Sequence, residues 1–248
     1  MQRIEPTRGA ARIVIVGSGR LGTALAAALR GNDDFELTGP LGRGADAAGS
    51  DVVLLCVPDR EIGAAAAVIA PGRLVGHCSG ATGLEPLAPH EAFSLHPLMT
   101  ATGPATPLAG ATAVIDGGTP RALDMAARLA RALRMPSLRV ETQDRAAYHA
   151  AASIASNFLI TLEAAAERLA ASAGVSRAAL APLVRASVES WAALGPERAL
   201  TGPVARGDER TVAAQRAAIL ARAPDLVGLF DALTAATRAL AAEPPEPA

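Results

Sequence analysis

The 248-residue sequence contains no lysine; all 23 of its basic side chains are arginine. That excludes a Schiff-base amine, a lysine general acid and a phosphate-loop lysine. Aromatic residues are scarce: four Phe, one Tyr and one Trp. Little is left for stacking on bases, and a net charge of −1 gives no electrostatic footprint for nucleic acid. Two cysteines cannot build a disulfide framework or a four-thiolate zinc site. Neither they nor His77, His90 and His96 have metal-ligand spacing, so no metal is expected. Long apolar runs are missing too. The best, residues 62–71, is about half of a membrane span. Residues 1–12 carry charges with no signal-length apolar run behind them. The expectation is a cytoplasmic chain without a membrane segment, which also suits unpaired Cys56 and Cys78.

What is present is apolar and helix-favouring. Half of the residues are hydrophobic, and alanine is the commonest of them. The chain is long enough for two domains with proper cores. In the first half, short β-branched runs at 12–16, 35–37, 51–57, 73–77, 93–96 and 111–116 alternate with helical stretches at 20–30, 61–70 and 121–134. Such alternation predicts an α/β domain with a parallel sheet covered on both faces. After residue 140 only helical patterns remain, at 144–173, 177–193, 209–221 and 224–241. The predicted organisation is therefore α/β plus all-α: a doubly wound domain over 1–140, a helical domain over 141–242 and a disordered tail over 243–248.

Gly17-Ser18-Gly19-Arg20-Leu21-Gly22 lies between the first strand and the first helix. This is the G-x-G-x-x-G dinucleotide fingerprint in the context that gives it meaning. The first glycine allows a tight turn, the second a close approach to a pyrophosphate, and the third close packing of helix on strand. The helix N-terminus then faces the anion. About 20 residues on, where an NAD site usually has a carboxylate for the ribose, the chain reads Thr38-Gly39-Pro40-Leu41-Gly42-Arg43-Gly44. A guanidinium there suits a 2′-phosphate, so Arg43 favours NADP over NAD.

In an open parallel sheet, ligands sit beyond the C-terminal ends of the strands. The third strand ends in Val57-Pro58-Asp59, with the Val57–Pro58 turn expected over the nicotinamide side and Asp59 read as a helix cap. The next ends in His77-Cys78-Ser79-Gly80, where Ser79 and Gly80 are placed to touch nicotinamide or substrate. His96, just before a proline at a strand end, is a candidate proton donor. His90 reads as plain surface. On the long helical pattern, Arg145, His149, Ser153, Asn157 and Thr161 recur every four residues. They form one polar line on an otherwise apolar helix, which comes directly after the α/β domain and so belongs in a cleft between domains. Finally, 200–208 joins two helices yet is rich in turn formers. Asp208 reads as a cap for the next helix. Thr201 and Arg206 are candidate contacts for an anionic substrate.

These segments together resemble the Rossmann-like family that carries the DUF2520 domain. The match rests on Gly17-x-Gly19-x-x-Gly22, Val57-Pro58-Asp59, His77-Cys78-Ser79-Gly80, Leu95-His96-Pro97, Tyr148-His149-Ala150-Ala151 with Ser156-Asn157, and Leu200-Thr201-Gly202-Pro203 through Asp208. The resemblance runs from about residue 10 to 240. It implies an NADP-binding domain like those of the 6-phosphogluconate dehydrogenase, pyrroline-carboxylate reductase and ketopantoate reductase superfamily, and a helical domain that forms homodimers. The implied activity is hydride transfer to or from a small carbonyl or imine substrate. Well-known relatives place a lysine four residues before an asparagine on the interdomain helix. Here Ser153 stands four before Asn157. The expected proton donor is then His149 first and His96 second, with Asn157 orienting the substrate. The missing lysine argues against a ketopantoate reductase and leaves open an NADP(H) sensor without turnover.

Overall fold

The computed structural model describes residues 10–42 and 44–242. Arg43, with its expected 2′-phosphate contact, and the tail at 243–248 lie outside them. The chain forms two compact units, Met1–Ser156 and Asn157–Ala248.

The first unit is built on β1 (Ala11–Val16), β2 (Phe35–Leu41), β3 (Val52–Leu55), β4 (Leu74–His77), β5 (Glu91–Pro97), β6 (Ala113–Gly117) and β7 (Ser137–Leu138). They make one sheet in the order β2-β1-β3-β4-β5-β6-β7. The chain leaves β1 to pair β2 on one side and returns to pair β3 on the other. This puts a topological switch point at the C-terminal end of β1, where the G-x-G-x-x-G loop begins. β1 through β5 run parallel, but β6 is antiparallel to β5. The sequence pattern predicts a wholly parallel sheet. The segment 98–112 explains the difference: its Gly- and Pro-rich run forms no helix, and a parallel return needs a crossover.

Strand residues alternate between two cores. Ile13, Ile15, Leu54, Phe93 and Leu95 face α1 (Arg20–Leu29) and α3 (Pro120–Ala132). Val14, Val16, Val53, Leu55 and Val75 face α2 (Ile62–Ala67) on the other side. Both faces are buried, which is why these strands read as continuous apolar runs. α3 starts under a threonine cap: Thr119 accepts the N–H of Ala122, with proline at the first helical position.

The expected long helix is present in three pieces. α4 spans Arg145–Ser153, a π-turn spans Ile154–Phe158, and α5 spans Leu159–Ala171. The division between the two compact units falls inside the π-turn. α4 belongs with the sheet because Arg145 and Tyr148 bond to it. The second unit continues with α6 (Arg177–Leu194), α7 (Pro196–Ala199), α8 (Glu209–Arg222) and α9 (Val227–Ala242). Asp208 caps α8 as expected, accepting the N–H of Thr211 at 3.1 Å. This unit buries little of its apolar surface. No residue of α5 or α6 is buried, and Ile160, Leu183 and Trp191 are 69%, 65% and 58% exposed. Among the described residues, no helix is long and apolar enough to cross a membrane.

Candidate active site

The glycine loop has one open position between two closed ones. Gly17 has φ +115°, and a Cβ there would lie 2.2 Å from the Cys56 carbonyl oxygen. A Cβ on Gly22 would lie 1.9 Å from the carbonyl oxygen of Gly17. A Cβ on Gly19 would meet nothing within 4 Å. Gly17 and Gly22 therefore close the turn against β3 and itself, while Gly19 keeps a clear approach. Gly19 is also the N-cap of α1 and brings no side chain to cap it. The N–H groups of Arg20, Leu21 and Gly22 precede the first intrahelical bond, Thr23 N–H to Gly19 carbonyl at 3.0 Å, and so have no helical partner. Ser18 and Arg20 are exposed, and Leu21 packs on the core. Free donors, a helix dipole and a clear approach fit a diphosphate. Beside the loop, a cavity of about 220 Å³ is lined by Val16, Gly44, Val57, Glu61, Ala64 and Ala65. It has room for a planar base. Val57 thus faces the β2 side of the loop, and Pro58 opens the turn Asp59–Glu61.

The ends of β3 and β4 are tied together. Asp59, expected as a cap, instead accepts hydroxyl hydrogen bonds from Ser79 (2.6 Å) and Thr82 (3.0 Å). Ser79 in turn accepts the N–H groups of Ala81 and Thr82. It is only 8% exposed, so its hydroxyl holds the turn and has no bond to spare for a ligand. His77 is fully buried. Its Nδ1 accepts the N–H of Ser79 at 3.2 Å, so its Nε2–H is the donor to the Gly83 carbonyl at 2.8 Å. Burial holds its pKa below the ordinary histidine range. His90 is half-buried, not plain surface, and donates from Nε2 to the Ala66 carbonyl. Cys56 and Cys78 are free thiols whose sulfurs lie 3.7 Å apart at the strand ends. That contact and burial push the Cys78 thiol well up.

The turn set up by Asp59 and His77 brings Gly80 against two imidazoles. A Cβ on Gly80 would lie 2.7 Å from His96 Cε1 and 3.0 Å from His149 Cδ2. The two rings are 6.4 Å apart between centroids. Tyr148 completes the group: its hydroxyl lies 2.5 Å from His96 Nδ1, with the rings edge to face at 83°. His96 has its pKa lowered to about 4, by burial first and then by the charge of His149. Burial also raises the pKa of Tyr148. Both are therefore uncharged near neutral pH.

Arg145 anchors the helix that carries Tyr148 and His149. It is 5% exposed, donates to Asp116 at 3.1 Å and to the Thr82 carbonyl at 3.3 Å, and keeps a buried Nε without a partner among the described residues. One guanidinium thereby joins β6, the 79–83 turn and α4.

The structure brings together His96, His149 and Gly80 of the expected site residues, within one unit. The four-residue polar line breaks after Ser153. Ser153 is half-buried, whereas Asn157 and Thr161 are exposed, and the Thr161 hydroxyl donates to the Asn157 carbonyl. The π-turn is the cause: its extra residue per turn rotates the downstream side chains by about a quarter turn. Thr201 and Arg206 are both exposed in the second unit, Arg206 beside the Asp208 cap of α8. Sequence patterning does not reveal Tyr148, Asp116 or the cross-link made by Asp59 as site features. Tyr148 has two signals: it is the chain's single tyrosine, and it opens the Tyr148-His149-Ala150-Ala151 segment of the family resemblance.

Among the described residues, no group of three or more His, Cys, Asp or Glu is arranged to hold a metal ion. Sheet topology, switch-point loop and strand-end cluster define a Rossmann-like domain joined to a helical unit. The family profile described as a domain of unknown function, DUF2520, matches residues 111–237. The chain belongs to the DUF2520 family. No match is found among curated protein sequences. Solved structures share the fold over nearly the whole chain. A Bacteroides fragilis protein proposed to be an NADP oxidoreductase superposes with a TM-score of 0.79, at 18% identity over 93% of this chain and 98% of that one. A Thermotoga maritima protein gives 0.74, at 24% identity over 92% and 98%. Plasmodium falciparum pyrroline carboxylate reductase, solved with NADP bound, gives 0.59, at 12% identity over 94% and 98%.

Proposed function

We propose that this chain is an NADP-dependent oxidoreductase acting on a small carbonyl or imine compound. The observation that carries the reading is the open Gly19 between closed Gly17 and Gly22, at an uncapped helix start and at the same carboxyl end of the sheet as His96, whose ring meets Tyr148 of α4. Ser18 through Leu21 bind the diphosphate through backbone N–H groups. Val57 and the cavity beside Gly44 take the adenosine half. Arg43 meets the 2′-phosphate, which makes the cofactor NADP in preference to NAD; the NADP-bound pyrroline carboxylate reductase supports that choice. The bound dinucleotide supplies or accepts the hydride. The chain's own residues orient the substrate and handle its proton. His149 and His96 are the imidazoles in reach of that step. Ser153 lies on the same helix as His149. The absence of lysine disfavours a ketopantoate reductase-like mechanism. It favours, as the second reading, a sensor that binds NADP(H) without turnover.

The chain also pairs with a second copy of itself through the second unit. The bare apolar residues of α5 and α6 support this, because patches of that kind mark association surfaces. A calorimetric titration with NADPH and NADH, followed by a panel of 2-oxo acids, aldehydes and cyclic imines, tests the oxidoreductase reading. NADPH binding with turnover supports it. NADPH binding with no turnover on any of them supports the sensor.

A further inference from the structure

We infer that Tyr148 is the proton donor of this site, that His96 orients its hydroxyl, and that the hydride acceptor is an uncharged carbonyl. This rests on the oxidoreductase reading above.

The argument starts from the 2.5 Å contact between the Tyr148 hydroxyl and His96 Nδ1. One proton lies between the two atoms, and either group can donate it. If Nδ1–H donates to the phenol oxygen, the phenol O–H points away from His96 and can be given to a ligand. If the phenol donates to Nδ1, its proton is held inside the pair. Only the first arrangement makes an acid, and a donor on the phenol oxygen also stabilises the tyrosinate left behind. Gly80 packs on the Nδ1–Cε1 edge of His96 and fixes the ring against Tyr148. His149, adjacent in sequence to Tyr148, lies beside the same face of Gly80.

The need for a proton selects the substrate. Arg145 on the same helix contributes a buried positive charge, and Asp116 is paired with Arg139 and Arg145. Asp59 accepts only the neutral hydroxyls of Ser79 and Thr82 and keeps its charge. An iminium would need no acid, since hydride addition alone makes it a neutral amine. A carbonyl does need one. Its carbon takes the hydride with both electrons, and the carbon–oxygen π pair moves to oxygen. That oxygen takes the Tyr148 proton, giving an alcohol. A reduced nicotinamide bound at the glycine loop would supply that hydride, and water would return a proton to the tyrosinate.

The chain has one tyrosine, so ultraviolet titration near 295 nm reads Tyr148 alone. Replacing His96 with phenylalanine should raise the Tyr148 midpoint by about half a unit or more, because a donor to the tyrosinate is lost. A midpoint that falls or stays put overturns the proposal. If His96→Phe does not fold, ¹⁵N spectra of the wild-type imidazoles decide: His96 protonated on Nδ1 supports it, and a bare Nδ1 overturns it. In turnover, Tyr148→Phe should lower kcat on carbonyls by about 10²-fold or more with NADPH affinity unchanged. An unaltered kcat, or turnover confined to cyclic imines, overturns it. Failure of wild type to bind NADPH at all would sink the oxidoreductase reading instead.

Discussion

Three glycines within one short loop do three different jobs, and substitution separates them. Gly17→Ala forces a positive φ on alanine and drives its methyl into the Cys56 carbonyl. It should cost about 1–3 kcal/mol in urea unfolding. Gly19→Ala meets nothing within 4 Å, so stability should hold while NADPH affinity falls about tenfold or more, measured by calorimetry. Equal loss of stability in the two variants would contradict the assignment. Arg145→Met removes a buried cation that bridges β6, the 79–83 turn and α4. It should cost about 3 kcal/mol in the same assay. The sequence shows the glycines directly, because backbone chemistry at a strand–helix turn is local. It hides Arg145, whose partners Thr82 and Asp116 lie 63 and 29 residues away.

At the scale of elements, hydrophobic patterning is enough to reveal most strands and helices, since both faces of the sheet are covered and α8 and α9 keep helical composition throughout. Two features escape it. The antiparallel β6 depends on a helix-free return through 98–112. The π-turn at Ile154–Phe158 shifts the phase of a pattern that looks unbroken in sequence, and takes Asn157 off the line through His149 and Ser153. The strand ends also carry a pH response. His77 and His96 have folded-state pKa values below the ordinary 6.5, that of His96 about 4, because burial opposes imidazolium. Between those limits the unfolded chain binds more protons than the folded one. Stability is then full above about pH 6.5 and lost as pH falls toward 4. Melting temperature should drop across that window, and less steeply in His96→Asn. A flat profile would contradict the neutral-imidazole account.

The whole molecule pairs a well-packed sheet domain with a helical unit that leaves much of its apolar surface bare. In light scattering, the wild type should have the mass of a dimer. Trp191→Glu combined with Leu183→Glu should shift it toward monomer at micromolar concentration, without loss of helical circular dichroism. A monomeric wild type would leave that surface without its proposed partner. The lack of lysine agrees with the proposal of a proton-handling cluster built from imidazoles and one phenol. All of this depends on a dinucleotide at the glycine loop. The most direct measurement is thermal unfolding with increasing NADPH, in parallel with NADH. The account predicts that NADPH raises the melting temperature by the mass-action amount for one site per chain, and NADH does so only at higher concentration. An unchanged melting temperature with both, at millimolar concentration, would contradict it.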